Sequence, residues 1–130
     1  MVKIQKFIDT PSQTAGPFLH IGCTPRITGI NIFKNELGLT PFQDISDNEA
    51  INIKGKIYDG NKEPIIDAMI ETWQCDANGN YSSNQGFARI VTDFKTGEYQ
   101  LKTIRPGNEI NTDGSLSASY ITFWIVARGM

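Results

Sequence analysis

Residues 51–74, INIKGKIYDGNKEPIIDAMIETWQ, decide the fold. Ile51, Ile53 and Ile57 share one parity, with Gly55 between them, which is the alternation of a half-buried strand. Asp59-Gly60-Asn61-Lys62 carries the Asp-Gly signal of a hairpin turn. A second strand is expected over residues 65–74, with Met69, Glu71 and Trp73 on one face and Ala68, Ile70 and Thr72 on the other. Asp76 to Asn80, with its Asn78-Gly79 pair, breaks that strand. Working outward, residues 87–92 form a third strand, 95–98 a turn and 99–104 a fourth strand that Pro106-Gly107 ends. Residues 108–117 read as a polar loop and 119–127 as a last, strongly apolar strand. Short strands at this spacing predict an all-β fold, a β-sandwich. Residues 1–50, punctuated by Pro11, Gly16, Pro17, Pro25 and Pro41, predict an irregular N-terminal arm with at most a short turn of helix.

The 130 residues suffice for one domain, and 39% hydrophobic side chains suffice for one core. A net charge of −2 with no basic stripe argues against nucleic acid and against an anionic membrane surface. The single histidine, His20, excludes any site needing two imidazoles from one chain. Cys23 and Cys75 fit neither a Cys-x-x-Cys site nor a disulfide framework and are expected to be reduced. Residues 1–10 lack the apolar core of a signal peptide, and no apolar run is long enough to span a bilayer. The expected location is the cytoplasm.

Residues 53–81 read I-K-G-K-I-Y-D-G-N-K-E-P-I-I-D-A-M-I-E-T-W-Q-C-D-A-N-G-N-Y. F-A-R-I-V-T-D at 87–93, T-G-E-Y at 96–99 and T-I-R-P-G at 103–107 follow in order. Together they resemble the intradiol ring-cleavage dioxygenases, non-haem Fe(III) enzymes that open catechols between their hydroxyls. T-P-S-Q-T-A-G-P-F at 10–18 and A-R-G-M at 127–130 narrow the resemblance to the α-type subunit of members built from two kinds of chain. The G-x-I-x-D-G rhythm alone is shared with transthyretin-like and carboxypeptidase-regulatory-like modules. A non-enzymatic binding module of that kind is therefore the alternative reading.

The resemblance implies an intradiol-type β-sandwich over residues 51–130, and an arm over 1–50 that contacts a partner subunit. Related α subunits continue past A-R-G-M, so the C-terminal part of the sandwich is expected to be missing. In the family's iron-binding β subunit, two tyrosinates and two histidines hold Fe(III), hard anionic oxygens suiting a hard cation. Tyr81 matches the first tyrosinate, the second falls at Glu109, and the His-x-His pair falls at Tyr120 and Thr122. The implied chain therefore binds no metal and has no catalytic residue of its own; the Fe(III) belongs to the partner. Thr14, Gly16, Pro17 and Arg128 match positions that wall the partner's substrate pocket. The implied reaction is O2-dependent opening of 3,4-dihydroxybenzoate (protocatechuate) to 3-carboxy-cis,cis-muconate.

Plainer readings stand beside these. Tyr81 is expected to be a sandwich tyrosine with its hydroxyl bonded to a loop, and Trp73 a core residue. Asp67 and Glu71 are expected to be structural or solvated rather than a catalytic carboxylate pair. His20 has no sequence-paired nucleophile to act on as a base. A surface role for Arg128 and a tether role for residues 14–17 are the corresponding alternatives.

Overall fold

The computed structural model describes residues 11, 13, 16–34 and 37–127. Five strands follow the arm: β1 (Ala50–Lys56), β2 (Met69–Trp73), β3 (Phe87–Val91), β4 (Glu98–Ile104) and β5 (Thr122–Val126). They form two antiparallel sheets, one ordered β1-β4 and the other β3-β2-β5. The all-β reading holds.

The pairing of the first two strands does not. The Asp59 turn closes locally, since Asp59 Oδ1 accepts the amides of Asn61 and Glu63 at 2.8 and 2.9 Å. The Ile65 amide still bonds the Ile57 carbonyl at 2.8 Å. There the hairpin stops: Pro64 has no amide to extend a ladder, and the chain crosses to the other sheet. The strand partner of β1 is β4, with Ile53 opposite Leu101 and Ile51 opposite Thr103. The physical reason lies in burial. Asn52, Lys54 and Lys56 keep one face of β1 in water, whereas Met69 and Ile70 bury adjacent residues of β2 on opposite faces. β2, buried at Met69, Ile70 and Thr72, is the central strand of its sheet, between β3 and β5.

Ala68, Ile70, Thr72, Ala88, Leu101 and Thr103 make the centre of the core. Gln74 ties the two sheets through this interior. Its Nε2 donates to the Ile104 carbonyl at 3.0 Å, and its Oε1 accepts from Thr103 Oγ1 at 2.7 Å. Both cysteines are free thiols, Cys75 being buried.

Trp73 is not a core residue. It is 38% exposed, because parity along β2 turns Ile70 and Thr72 inward and Glu71 and Trp73 outward. The arm also holds more helix than expected. A 3-10 turn at Gly16–Phe18 runs into α1 (Leu19–Cys23), and a second 3-10 turn follows at Pro25–Thr28. Proline in a sequence reads as a breaker, but at the first position of a helical turn its missing amide costs nothing, and Pro25 sits there. Gly29, at φ 82°, ends that turn in the left-handed region. Among the described residues, no helix is long and apolar enough to cross a membrane.

Candidate functional site: a tyrosine–glutamate cluster

The cluster begins with a turn. Asp76 Oδ1 accepts the amides of Asn78 and Asn80 at 2.8 and 2.9 Å, and Gly79 takes φ +83°. That reversal delivers Tyr81. The T-I-R-P-G segment packs directly on the same turn, with the Gly107 amide bonded to the Asp76 carbonyl at 2.8 Å. A methyl group on Gly107 would lie 2.5 Å from both the Ala77 carbonyl oxygen and the Gly79 nitrogen. Two backbones meet here because glycine lets them, and the contact carries Glu109 beside Tyr81. Ser117 then fixes Glu109: the Glu109 amide donates to Ser117 Oγ at 3.1 Å, and the Ser117 amide donates to the Glu109 carbonyl at 2.9 Å.

The Tyr81 hydroxyl donates to Glu109 Oε1 at 2.5 Å and lies 3.0 Å from the Tyr120 hydroxyl. A phenol has one proton, so the contact with Tyr120 is made by the Tyr120 proton. Trp73 stacks on the Tyr81 ring, with centroids 5.8 Å apart and planes 12° from parallel. Thr122 is the register partner of Trp73 across β2 and β5. Cross-strand partners share a face, so Thr122 belongs to the Trp73 side of that sheet. The four positions matched to iron ligands therefore lie on one side of the sandwich, and three of them touch. The expectation that the Tyr81 hydroxyl bonds a loop is met by Glu109.

The electrostatics follow from the contacts. Desolvation of the hydroxyl, then its bond to Glu109, then its bond to Tyr120 push the Tyr81 proton affinity well above the ordinary tyrosine range. The residue as a whole is 41% exposed, and its hydroxyl is held between Glu109 and Tyr120. Burial, and next the charge of Glu109, likewise push the Cys75 thiol up. A ferric ion requires phenolates and available nitrogen donors. These positions offer a phenol that keeps its proton, a carboxylate already occupied by it, a second phenol and a threonine. The set does not fit the family's iron. Two clefts of about 510 and 590 Å³ lie between residues 39–45, β3 and β4, away from this cluster.

The remaining expected residues distribute unevenly. Gly16 has φ +62° and open space where a side chain would go, and Pro17 follows it in the first 3-10 turn. Thr14 and Arg128 lie outside the described residues. Glu71 is an ion-pair partner of Arg89 at 2.5 Å, and both ring nitrogens of His20 are engaged, by Thr24 and by the Asp67 carbonyl. Sequence reasoning missed the Trp73 stack and the Ser117 clamp. Parity along β2 could have found the first; nothing in a polar loop announces the second.

A simple titration checks the cluster. Tyr81 stays protonated through the range where free tyrosines ionise, about pH 10. Because its folded-state value is raised, the stabilisation is complete below the ordinary tyrosine value and is lost as pH rises through the folded one. Ultraviolet tyrosinate absorbance is expected to show one late tyrosine, absent in Tyr81→Phe. Glu109→Gln should bring that tyrosine earlier. A late tyrosine surviving in Tyr81→Phe would refute the assignment.

Residues 33–124 match the family described as Dioxygenase. The chain belongs to the dioxygenase family. Over 98% of its length this dioxygenase chain is 35% identical to a protocatechuate 3,4-dioxygenase alpha chain of Pseudomonas putida, covering 67% of that relative. The corresponding alpha chain of Burkholderia cepacia is 29% identical, with 93% of this chain and 64% of the relative covered. The chain thus spans about two thirds of the length of these relatives. Among solved structures, 3-chlorocatechol 1,2-dioxygenase from Rhodococcus opacus 1CP superposes with a TM-score of 0.62 at 21% identity, covering 69% of this chain and 43% of that one. Catechol 1,2-dioxygenase from Pseudomonas arvilla C-1 gives 0.60 at 18%, covering 69% and 35%. At these identities the structures speak for the fold. Membership of the dioxygenase family weighs against the non-enzymatic module.

Proposed function

We propose that this chain is the α-type, non-iron subunit of a protocatechuate 3,4-dioxygenase. The observation that carries the reading is the Tyr81–Glu109–Tyr120 cluster. At the first ligand position the phenol proton is held by a carboxylate, where the iron-binding sibling holds a ferric ion. The similarity to two alpha chains supports the same reading. Fe(III) then resides on a β subunit and supplies the activation of the catechol toward O2. The enzyme would open 3,4-dihydroxybenzoate to 3-carboxy-cis,cis-muconate in the cytoplasm.

In this reading the chain contributes a wall. Thr14, Gly16 and Pro17 lie against the partner's pocket, the open side of Gly16 permitting a close approach of its backbone. Arg128 would favour the substrate carboxylate, since a fixed guanidinium pairs two-pronged with such a group.

The test is reconstitution. Mixed with a sibling carrying two tyrosines and a His-x-His pair, the chain should form a complex that consumes O2 with 3,4-dihydroxybenzoate. Turnover should fall below that of the complex when the sibling is assayed alone. A sibling that is equally active alone and never associates with this chain would overturn the proposal.

A further inference from the structure

Two contacts fasten the α1 segment of the arm to β2 and β3, and neither takes part in the tyrosine–glutamate cluster. The first is His20, in the second position of α1. Its Nε2 lies 3.0 Å from the carbonyl of Asp67, just before β2. A carbonyl only accepts, so Nε2 carries the proton. Nδ1 lies 3.0 Å from Oγ1 of Thr24, itself buried, and the ring meets Phe94 edge-on with centroids 5.7 Å apart.

The second is Arg89 on β3. Its Nε and Nη2 donate to Glu71 Oε1 at 2.7 and 2.5 Å, across the register that pairs the two residues. That leaves Nη1 to donate to the carbonyl of Cys23, the last residue of α1, at 3.3 Å. The guanidinium also lies over the Phe87 ring, 5.6 Å from its centroid.

These clamps matter because α1 has little else. It is five residues long, has no side-chain cap at its N-terminus and buries none of its residues. A helix that short does not persist on its own hydrogen bonds, so its position is set from outside. The Gly16–Phe18 turn runs into it without an intervening residue. Where α1 is pinned, residues 16 and 17 are pinned.

We propose that His20 and Arg89 are positioning residues for the substrate pocket. By locking α1 to β2 and β3 they hold residues 16 and 17 in place as a wall for the catechol on the partner subunit. This rests on the reading of the chain as a pocket-forming α subunit. A displaced wall weakens substrate binding while leaving the partner's iron and reacting groups intact, so the effect falls on KM more than on kcat.

The decisive variant is His20→Phe, which keeps an aromatic ring against Phe94 and loses both hydrogen bonds. In the assembled complex it should raise KM for 3,4-dihydroxybenzoate about tenfold, with kcat within about twofold and iron content and subunit ratio unchanged. His20→Gln places an amide donor near the old Nε2 and should recover most of the loss. Arg89→Lys keeps a cation beside Glu71 but cannot also reach Cys23, and should raise KM by about threefold. A role confined to stability would lower yield or Tm and leave KM of the assembled complex alone.

Gly16→Val, made in parallel, separates the failures. If it raises KM and His20→Phe does not, the wall stands and the positioning role is wrong. If neither moves KM, the arm is not a wall and both ideas fall. Hydrogen exchange on this chain alone gives an independent check. The Thr24 amide, bonded to the His20 carbonyl at 2.9 Å, should exchange about tenfold faster in His20→Phe while β2 and β3 are unchanged. Equal rates would overturn the clamp without reference to any partner.

Discussion

Ferric iron added to the purified chain is expected to leave it colourless and unable to consume O2 with 3,4-dihydroxybenzoate. The colour of a tyrosinate–iron centre requires a phenolate at the metal. Here the Tyr81 proton is retained by desolvation and by Glu109, so a ferric ion would have to displace a short hydrogen bond before gaining one ligand. The second phenol, Tyr120, is tied to the first. No imidazole is at hand: the one histidine is spent on Thr24 and the Asp67 carbonyl. Metal affinity comes from a preorganised, oriented shell rather than from a lone donor. The same logic predicts that Glu109→Tyr combined with Tyr120→His and Thr122→His should introduce the visible absorption, since those positions face one side of the sheet. A single wild-type chain that turned burgundy and cleaved its catechol would sink the non-metal reading and the proposed division of labour with it.

Gly107→Val should strongly destabilise the cluster. The first atom of any side chain there would stand 2.5 Å from the Ala77 oxygen and from the Gly79 nitrogen. Both are backbone atoms inside a turn that Asp76 has already tied, so neither yields by a rotamer change. Forcing the segments apart should cost about 2–3 kcal/mol, the range of overpacking in a filled site. For a chain of this size that corresponds to a fall in Tm of about 8–12 °C. Because the T-I-R-P-G segment carries Glu109, its displacement should also let Tyr81 ionise earlier in alkali. Gly60→Ala is the matched control: no atom lies within 4 Å of its added methyl, and its Tm should hold. Equal melting of Gly107→Val and the parent would show that the two backbones do not depend on this contact.

The strands are legible in the sequence because alternation and turn chemistry are local. β1, β3 and β4 stand within a residue or two of their expected bounds, and β5 is shorter, starting at Thr122 rather than at 119. The turns are legible for the same reason. Asp59, Asp76, Asp93 and Asp113 each bind a backbone amide two residues on, a bond set by covalent reach. At Asp93 the amides of Thr96 and Lys95 hold the carboxyl below its usual range. Proline misleads where its position in a turn matters more than its identity, as at Pro25. Trp73 misleads because its hydrophobicity suggests the core while its parity places it beside Glu71.

What the sequence determined by itself is the class of fold, the family, and the impossibility of a two-histidine iron shell from one histidine. These depend on composition, spacing and motif, which need no partner. What only the tertiary structure decided is who meets whom. Alternation assigns a residue to a face but not a strand to a neighbour, so the pairing of β1 with β4 had to come from burial across the whole sandwich. Tyr81 finds Glu109 and Tyr120 at separations of 28 and 39 residues, through a glycine contact that no local rule foresees. His20 reaches Asp67, 47 residues on, for the same reason. Contacts at such range form because packing the core leaves those groups facing each other, and that outcome belongs to the fold as a whole.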